Sequence, residues 1–331
     1  SPGCTDLCRT VRWCCTNSLG HDGRVPLRSS LLATLVAVIW GVNFVVIDAG
    51  LDGMPPVLFV ALRFIAVLFP AIFFVPRPQG RMRDVLLIGL FMSLGQFGLL
   101  YTALAMGMPP GLASLVLQAQ VAFTIVFAAL ALRETPRRTQ VVGVVVGAAG
   151  LGIVAAGRDA ATPALALVVT LAAAASWAIG NVIARRLGGA GRGGALAGLS
   201  MTVWSALVVP VPMALLAVAL DGADAVGAAL THLTTAQLLS TAYTAWLASL
   251  VGYGIWNTLL ARHTASAVVP FTMLVPPVGI AAAWLALGET PVPAELVGGA
   301  VLLIGVGIAV LRPRVQKVSG VSSGVRIRSA A

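Results

Sequence analysis

Ten stretches of about twenty apolar residues, separated by turn-forming residues, leave this chain little choice of fold. They run over residues 31–50, 57–76, 85–106, 111–132, 139–157, 163–184, 195–220, 237–260, 265–287 and 294–311. A helix of about 20 residues crosses a hydrocarbon core of about 30 Å. Inside lipid every backbone polar group must bond internally, so only helices and closed barrels span. A barrel would show alternating strands of about ten residues, whereas these stretches are apolar throughout. Composition agrees, with 59% hydrophobic residues, 10% charged and a mean hydropathy of +0.98. Soluble domains carry roughly 25% charge, so a soluble enzyme, a disordered chain and a disulfide scaffold are excluded. The expected fold is an all-α polytopic membrane protein with ten transmembrane helices.

Basic residues in the loops set the direction of insertion. With the N-terminus in the cytoplasm, 19 of the 21 Lys and Arg residues fall on the inner side. The exceptions are Arg158 in an outer loop and Arg63 within the second span. Asp48, Asp52, Asp159, Asp221, Asp224, Glu289 and Glu295 fall at the opposite boundary. A wrong span count would scramble this alternation, so both termini are expected inside. The net charge of +10 then belongs to loops facing an anionic lipid leaflet rather than to a nucleic-acid partner.

The chain also repeats itself. At an offset of 155, Leu130-Ala131-Leu132-Arg133-Glu134-Thr135 lies over Leu285-Ala286-Leu287-Gly288-Glu289-Thr290, and Tyr101 over Trp256. At an offset of 137, Trp40 of the first span lies over Trp177 of the sixth. Residues 31–157 and 163–311 therefore read as two copies of a five-helix unit, flanked by tails at 1–30 and 312–331. Five is odd, so the second copy enters the membrane from the other side. The architecture is a 5+5 inverted repeat, N-in and C-in, as recurs in secondary transporters with a midplane site.

Several segments carry a family resemblance. They are Trp40-Gly41-Val42-Asn43-Phe44, Leu62-Arg63-Phe64, Phe69 to Val75, Gly107-Met108-Pro109 with Gly111 to Gln120, Val251-Gly252-Tyr253-Gly254-Ile255-Trp256, and Leu274-Val275-Pro276. Together they resemble the drug/metabolite transporter superfamily, in particular its EamA-type members, over roughly residues 31–311. The resemblance implies an inner-membrane exporter working by alternating access, with O-acetylserine, cysteine or a related amino acid as cargo. Purine-like metabolites and drugs are the competing cargoes, and a non-transport scaffold is the reading from another class. Asp48 departs from the family pattern, where a basic residue is expected.

Polar groups inside spans are costly, so they face a pathway or pair across helices. The candidates for substrate contact are Trp40, Asn43, Arg63, Gln96, Tyr101, Gln118, Gln120, Trp177, Asn181, Tyr253 and Trp256. Arg63, the one cation at depth, suits a carboxylate through its planar fork; capping a neighbouring helix's carbonyls is an equal alternative. Gln118 and Gln120 are two apart and point to different sides of a helix, so one lines the path and the other bonds a neighbour. Glycines 143, 147, 150 and 152 suit close helix packing. Pro270, Pro276 and Pro277 are expected to break the ninth span; the fourth lacks an internal proline, so the two halves are expected to bend unequally.

No carboxylate lies deep in a span, which points to uniport or to weak coupling through Asp48, Glu134, Glu289 or Glu295. The histidines His21, His232 and His263 lie in tails or loops, so an enzyme reading lacks its base. No cofactor or metal is implied. The expected partners are a small-molecule substrate and the bilayer; the sequence does not separate a single subunit from a homodimer. Cys4, Cys8, Cys14 and Cys15 sit in a tail with no paired C-x-x-C, and residues 1–24 are expected to be untranslated or vestigial, with initiation near Val25.

Overall fold

The computed structural model describes residues 26–157, 159–186 and 194–310; the expectations for the cysteine-containing tail and the basic C-terminal tail lie outside them. Among the described residues ten helices are long and apolar enough to cross a membrane: α1 (Leu27–Leu51), α2 (Pro56–Phe74), α3 (Met82–Ala105), α4 (Pro110–Leu132), α5 (Arg138–Ala156), α6 (Ala164–Arg186), α7 (Ala197–Asp221), α8 (Thr235–Arg262), α9 (Val269–Leu287) and α10 (Pro293–Val310). Prolines at the first positions of α2, α4 and α10 start these helices, since a first-turn N–H has no intrahelical acceptor. The apolar side chains on the outer surface, among them Phe73, Phe74, Leu130 and Leu285, form the face that lipid covers.

The packing pairs each helix with the other copy. α1 lies against α8 and α9, and α6 lies correspondingly against α3 and α4; α2 meets α7, and α5 meets α10. The α5–α10 seam is built on glycines. A Cβ on Gly143 would lie 2.5 Å from the Gly305 carbonyl oxygen, and Gly150, Gly298 and Gly305 meet the facing backbone as closely. Such small-residue seams let two backbones approach where no hydrophobic force separates lipid from protein. Gly152 meets nothing within 4 Å, so it lies outside the seam that the sequence assigned it to.

Irregular segments also recur at the repeat offset. α3 contains a π-helical segment at Leu90–Gly95 and α8 one at Tyr243–Gly252. A π segment frees a carbonyl from the regular ladder, and a serine takes it up each time: Ser176 Oγ donates to Phe91 O at 2.8 Å, and Ser249 Oγ to Thr244 O at 2.8 Å. The α-helix of α4 stops at Val116 and resumes at Ala119, while α9 opens with a 3-10 segment, Val269–Leu274. The fourth span is therefore interrupted despite lacking an internal proline, contrary to expectation. The ninth span is broken at its prolines, as expected: Pro270 stands at the start of the 3-10 segment, and Pro276 and Pro277 stand in the first turn of the helix Val275–Leu287 that resumes after it. Even the ends correspond, with Arg133 at φ 54° and Gly288 at φ 71° closing α4 and α9 in the left-handed conformation.

Candidate functional site

Arg63, on α2, is a large, fully buried side chain, 2% exposed. Its Nη1 donates to Tyr101 Oη at 3.0 Å and its Nη2 to Ser249 Oγ at 3.1 Å, tying α2 to α3 and to the π segment of α8. The guanidinium carbon lies 3.9 Å from the centroid of the Phe97 ring, a cation–π contact worth about 2 kcal/mol when desolvated. Nε has no hydrogen-bond partner. The one ion pair among the described residues joins Arg185 to Glu134, so Arg63 carries its charge into the interior against neutral oxygens and aromatic faces. Burying a charge on such terms is expensive to the fold.

Aromatic residues wall the neighbourhood. Trp40 packs on Tyr253 and Trp256 with ring centroids 5.0 and 5.3 Å apart, and its Nε1 donates to Ala248 O at 3.0 Å. Trp177 packs instead on Phe97 at 6.4 Å. The two tryptophans thus make repeat-equivalent contacts, Trp40 on α8 and Trp177 on α3. Asn43 is 7% exposed and Gln96 1% exposed, and the amide oxygen of each lacks a partner.

The remaining candidates lie elsewhere. Gln118 Nε2 donates to Thr272 O at 3.1 Å, joining the interruption of α4 to the 3-10 segment of α9. Gln120 and Asn181 line a cavity of about 1430 Å³ that opens at the basic end of the bundle, between α4, α5, α6, α9 and α10. Arg133, Arg137, Arg138 and Arg185 surround its mouth. These arginines, and Phe97 and Ser249 beneath Arg63, were absent from the sequence candidates; three basic residues at the α4–α5 connection, with Arg185 at the end of α6, were the available signal for the mouth.

At the opposite end a cavity of about 250 Å³ is bordered by Asp159, Glu289 and Glu295. Glu289 accepts from the Gly111 N–H at 3.4 Å. Burial pushes the Glu289 carboxyl above the ordinary range; the Gly111 N–H opposes this, while the charges of Asp48 and Glu295 add to it. The repeat offsets place Glu289 over Glu134 and Asp48 under Arg185. Where the basic end has an ion pair, 2.9 Å between Arg185 Nη2 and Glu134 Oε2, the acidic end has two carboxylates.

Residues 27–156 and 164–311 each match the EamA-like transporter family. The chain belongs to that family. It is 41% identical over 297 residues to a Salmonella typhimurium protein named "Probable amino-acid metabolite efflux pump", covering 89% of this chain and 99% of that protein. An Escherichia coli K12 protein of the same name is 39% identical over 300 residues, with 89% and 99% covered. A solved structure titled "Crystal structure of protein" superposes with a TM-score of 0.59 at 19% identity, covering 88% of this chain and 99% of that one; it supports the fold alone. This EamA-like transporter is a multi-pass inner-membrane protein whose two family segments coincide with its two five-span halves.

Proposed function

We propose that the chain exports small amino-acid metabolites from the cytoplasm by alternating access, with Arg63 holding the substrate carboxylate. The observation that carries this is a buried guanidinium that faces neutral groups and lacks a carboxylate partner among the described residues. A planar fork of donors in a desolvated site is suited to a carboxylate, and the incoming anion would offset the cost of burying the cation. The name shared by the two bacterial relatives, "Probable amino-acid metabolite efflux pump", supports the cargo class.

Orientation follows the basic loops: the wide cavity and both termini face the cytoplasm, and the acidic end faces outward. The cavity then admits substrate past a ring of arginines, which raises the local concentration of anionic groups. Rocking of the two halves about the aligned irregular segments of α3, α4, α8 and α9 would close that mouth and open the other. Transport rather than catalysis is supported by the placement of the titratable groups. His263 bonds Ser29 at 3.0 Å near the basic end, and the carboxylates lie at the two boundaries. We assign one chain as the transporting unit, since both halves of the pathway lie within it; a homodimer would add no residue to it.

The test is uptake of labelled O-acetylserine and cysteine into inside-out vesicles, comparing the parent with Arg63→Ala and Arg63→Lys. Saturable uptake, lost in the alanine variant and severely reduced in the lysine variant, is expected. Equal uptake by Arg63→Ala would remove Arg63 from the site. Uptake of purines or dyes in preference to both amino acids would reassign the cargo.

A further inference from the structure

Where α8 runs along α1, three of its side chains bond the α1 backbone. Gln237 Nε2 donates to Asp52 O at 2.8 Å, Ser240 Oγ to Val46 O at 2.6 Å, and Tyr243 Oη to Ile39 O at 2.9 Å. The donors stand three residues apart, on one side of the helix, and their bonds run from the acidic boundary inward along α1. The inverted copy lacks this series. The repeat offset of 155 places Met82, Val85 and Ile88 of α3 under Gln237, Ser240 and Tyr243, and none of those three side chains carries a donor. Between α3 and α6, the equivalent pair, the described residues show one side-chain bond, from Ser176 to Phe91 O.

The bonded seam adjoins the buried arginine on its acidic side. Phe59 is fully buried and precedes Arg63 by about one turn of α2. A Cβ on Gly50 would collide with both the Phe59 ring and Ser240 Oγ, so α1, α2 and α8 meet there without a gap. The Phe59 ring in turn packs edge-on to Tyr101, with centroids 5.4 Å apart, and Tyr101 bonds Arg63. Along α8, Arg63's partner Ser249 donates to Thr244 O, Thr244 Oγ1 to Thr241 O and Thr241 Oγ1 to Gln237 O. That series ends at the outermost donor of the seam.

We infer that Gln237, Ser240 and Tyr243, with Phe59 beneath them, form the gate on the acidic side of the Arg63 site. Their bonds hold the chain at rest with that gate shut and the basic mouth open. The inference rests on alternating access as proposed above, and on neither the cargo nor the role of Arg63. Two identical inverted halves would make the two facing states equivalent, so a bond present in one seam and missing from the other tips the balance. An interhelical side-chain bond in a membrane shifts such a balance by about threefold. The cavities agree in direction, about 1430 Å³ at the basic end against about 250 Å³ at the acidic end. A chain resting in this state waits open to the side from which an exporter loads.

The experiment follows thiol labelling of the full chain in lipid nanodiscs, where a water-soluble maleimide reaches both faces, with Cys4, Cys8, Cys14 and Cys15 changed to Ser. Thr244→Cys reports the gate, since Thr244 is fully buried behind the seam, and Ile125→Cys reports the basic cavity that Ile125 lines. Gln237→Leu, Ser240→Ala and Tyr243→Phe should each speed labelling at Thr244→Cys by about threefold. The triple variant should speed it by about tenfold or more while slowing Ile125→Cys. Ser176→Ala, which loosens the other seam, should not speed Thr244→Cys. Unchanged labelling in the triple variant overturns the inference, as does an equal effect of Ser176→Ala. Faster labelling at both reporters also overturns it, since that is a loosened fold rather than an exchange of states. Saturating O-acetylserine on the parent tests alternating access separately, because cargo should move the two rates in opposite directions whatever the seam does. If cargo does so and the triple variant matches the parent, the gate inference falls alone. If neither cargo nor the triple variant moves the rates in opposition, alternating access falls with it.

Discussion

Gln118 Nε2 donates to the carbonyl oxygen of Thr272 at 3.1 Å, so the interruption of α4 is bonded directly to the 3-10 opening of α9. At the repeat offset of 155, Gln118 corresponds to Met273, the neighbour of its own acceptor. The bond therefore crosses the pseudo-twofold relation between the halves, where irregular backbone exposes carbonyls that only protein can satisfy. Replacing Gln118 by Leu removes this donor and leaves Thr272 O with the Val275 N–H alone. The expected cost is about 0.5–1.5 kcal/mol of stability, the net worth of one hydrogen bond, read as lower heat resistance of the detergent-solubilised protein. Gln118→Glu should lose as much, because an ionised carboxylate cannot donate.

Arg133 closes α4 at φ 54°, in a region that costs most side chains about 1 kcal/mol, while its repeat counterpart Gly288 closes α9 at φ 71° without that cost. Arg133→Gly should therefore raise stability by about 0.5–1 kcal/mol, and thermal denaturation checks this. The same change removes one of the arginines at the cavity mouth, so the apparent affinity for substrate should fall slightly while stability rises. Gly288→Arg, the reciprocal change, should destabilise.

Much of this was legible beforehand, for identifiable reasons. Ten spans follow from the length of the apolar runs, and the halves follow from Glu134-Thr135 recurring as Glu289-Thr290. Arg63 stood out because a cation at depth has few bland explanations. Phe97 and Ser249 did not, because these helices are apolar on most sides and periodicity does not say which side faces inward. The interruption of α4 carries no proline, and the serines that cap the two π segments look like any small residue in a membrane helix. The π segments were invisible for the same reason. Asp48 was visible as a departure from the family pattern and Glu289 over Glu134 from the repeat; that Asp48 stands under Arg185 acquired a meaning only with the Arg185–Glu134 ion pair.

The glycine seam between α5 and α10 gives a clean internal control. A Cβ at Gly150 would lie 2.6 Å from the Gly298 carbonyl oxygen, closer than packed atoms can approach, so the helices must separate. Gly150→Val should cost about 1–3 kcal/mol and lower the yield of folded protein. Gly152→Val, two residues along the same helix and facing open space, should be tolerated. Comparable losses at both positions, measured by size-exclusion profile after heating, would argue against the seam as the cause.

Glu289 makes the stability of the chain depend on pH in a direction that can be worked out. Its carboxyl titrates above the ordinary range in the folded protein, chiefly through burial, so the folded state holds a proton over a window where the unfolded state has released it. That window opens just above the ordinary glutamate value of about 4.3. Stability from this group is therefore greatest at the acidic side and declines as pH rises through the folded value. A Glu289→Gln variant keeps an amide oxygen to accept from the Gly111 N–H while never carrying charge beside Asp48 and Glu295. The variant should match the parent in stability near the acid edge, exceed it at neutral pH, and show a flatter profile between. A thermal denaturation series from about pH 5 to about pH 8 measures this, and parallel curves for parent and variant would show that the carboxyl is not the group responsible.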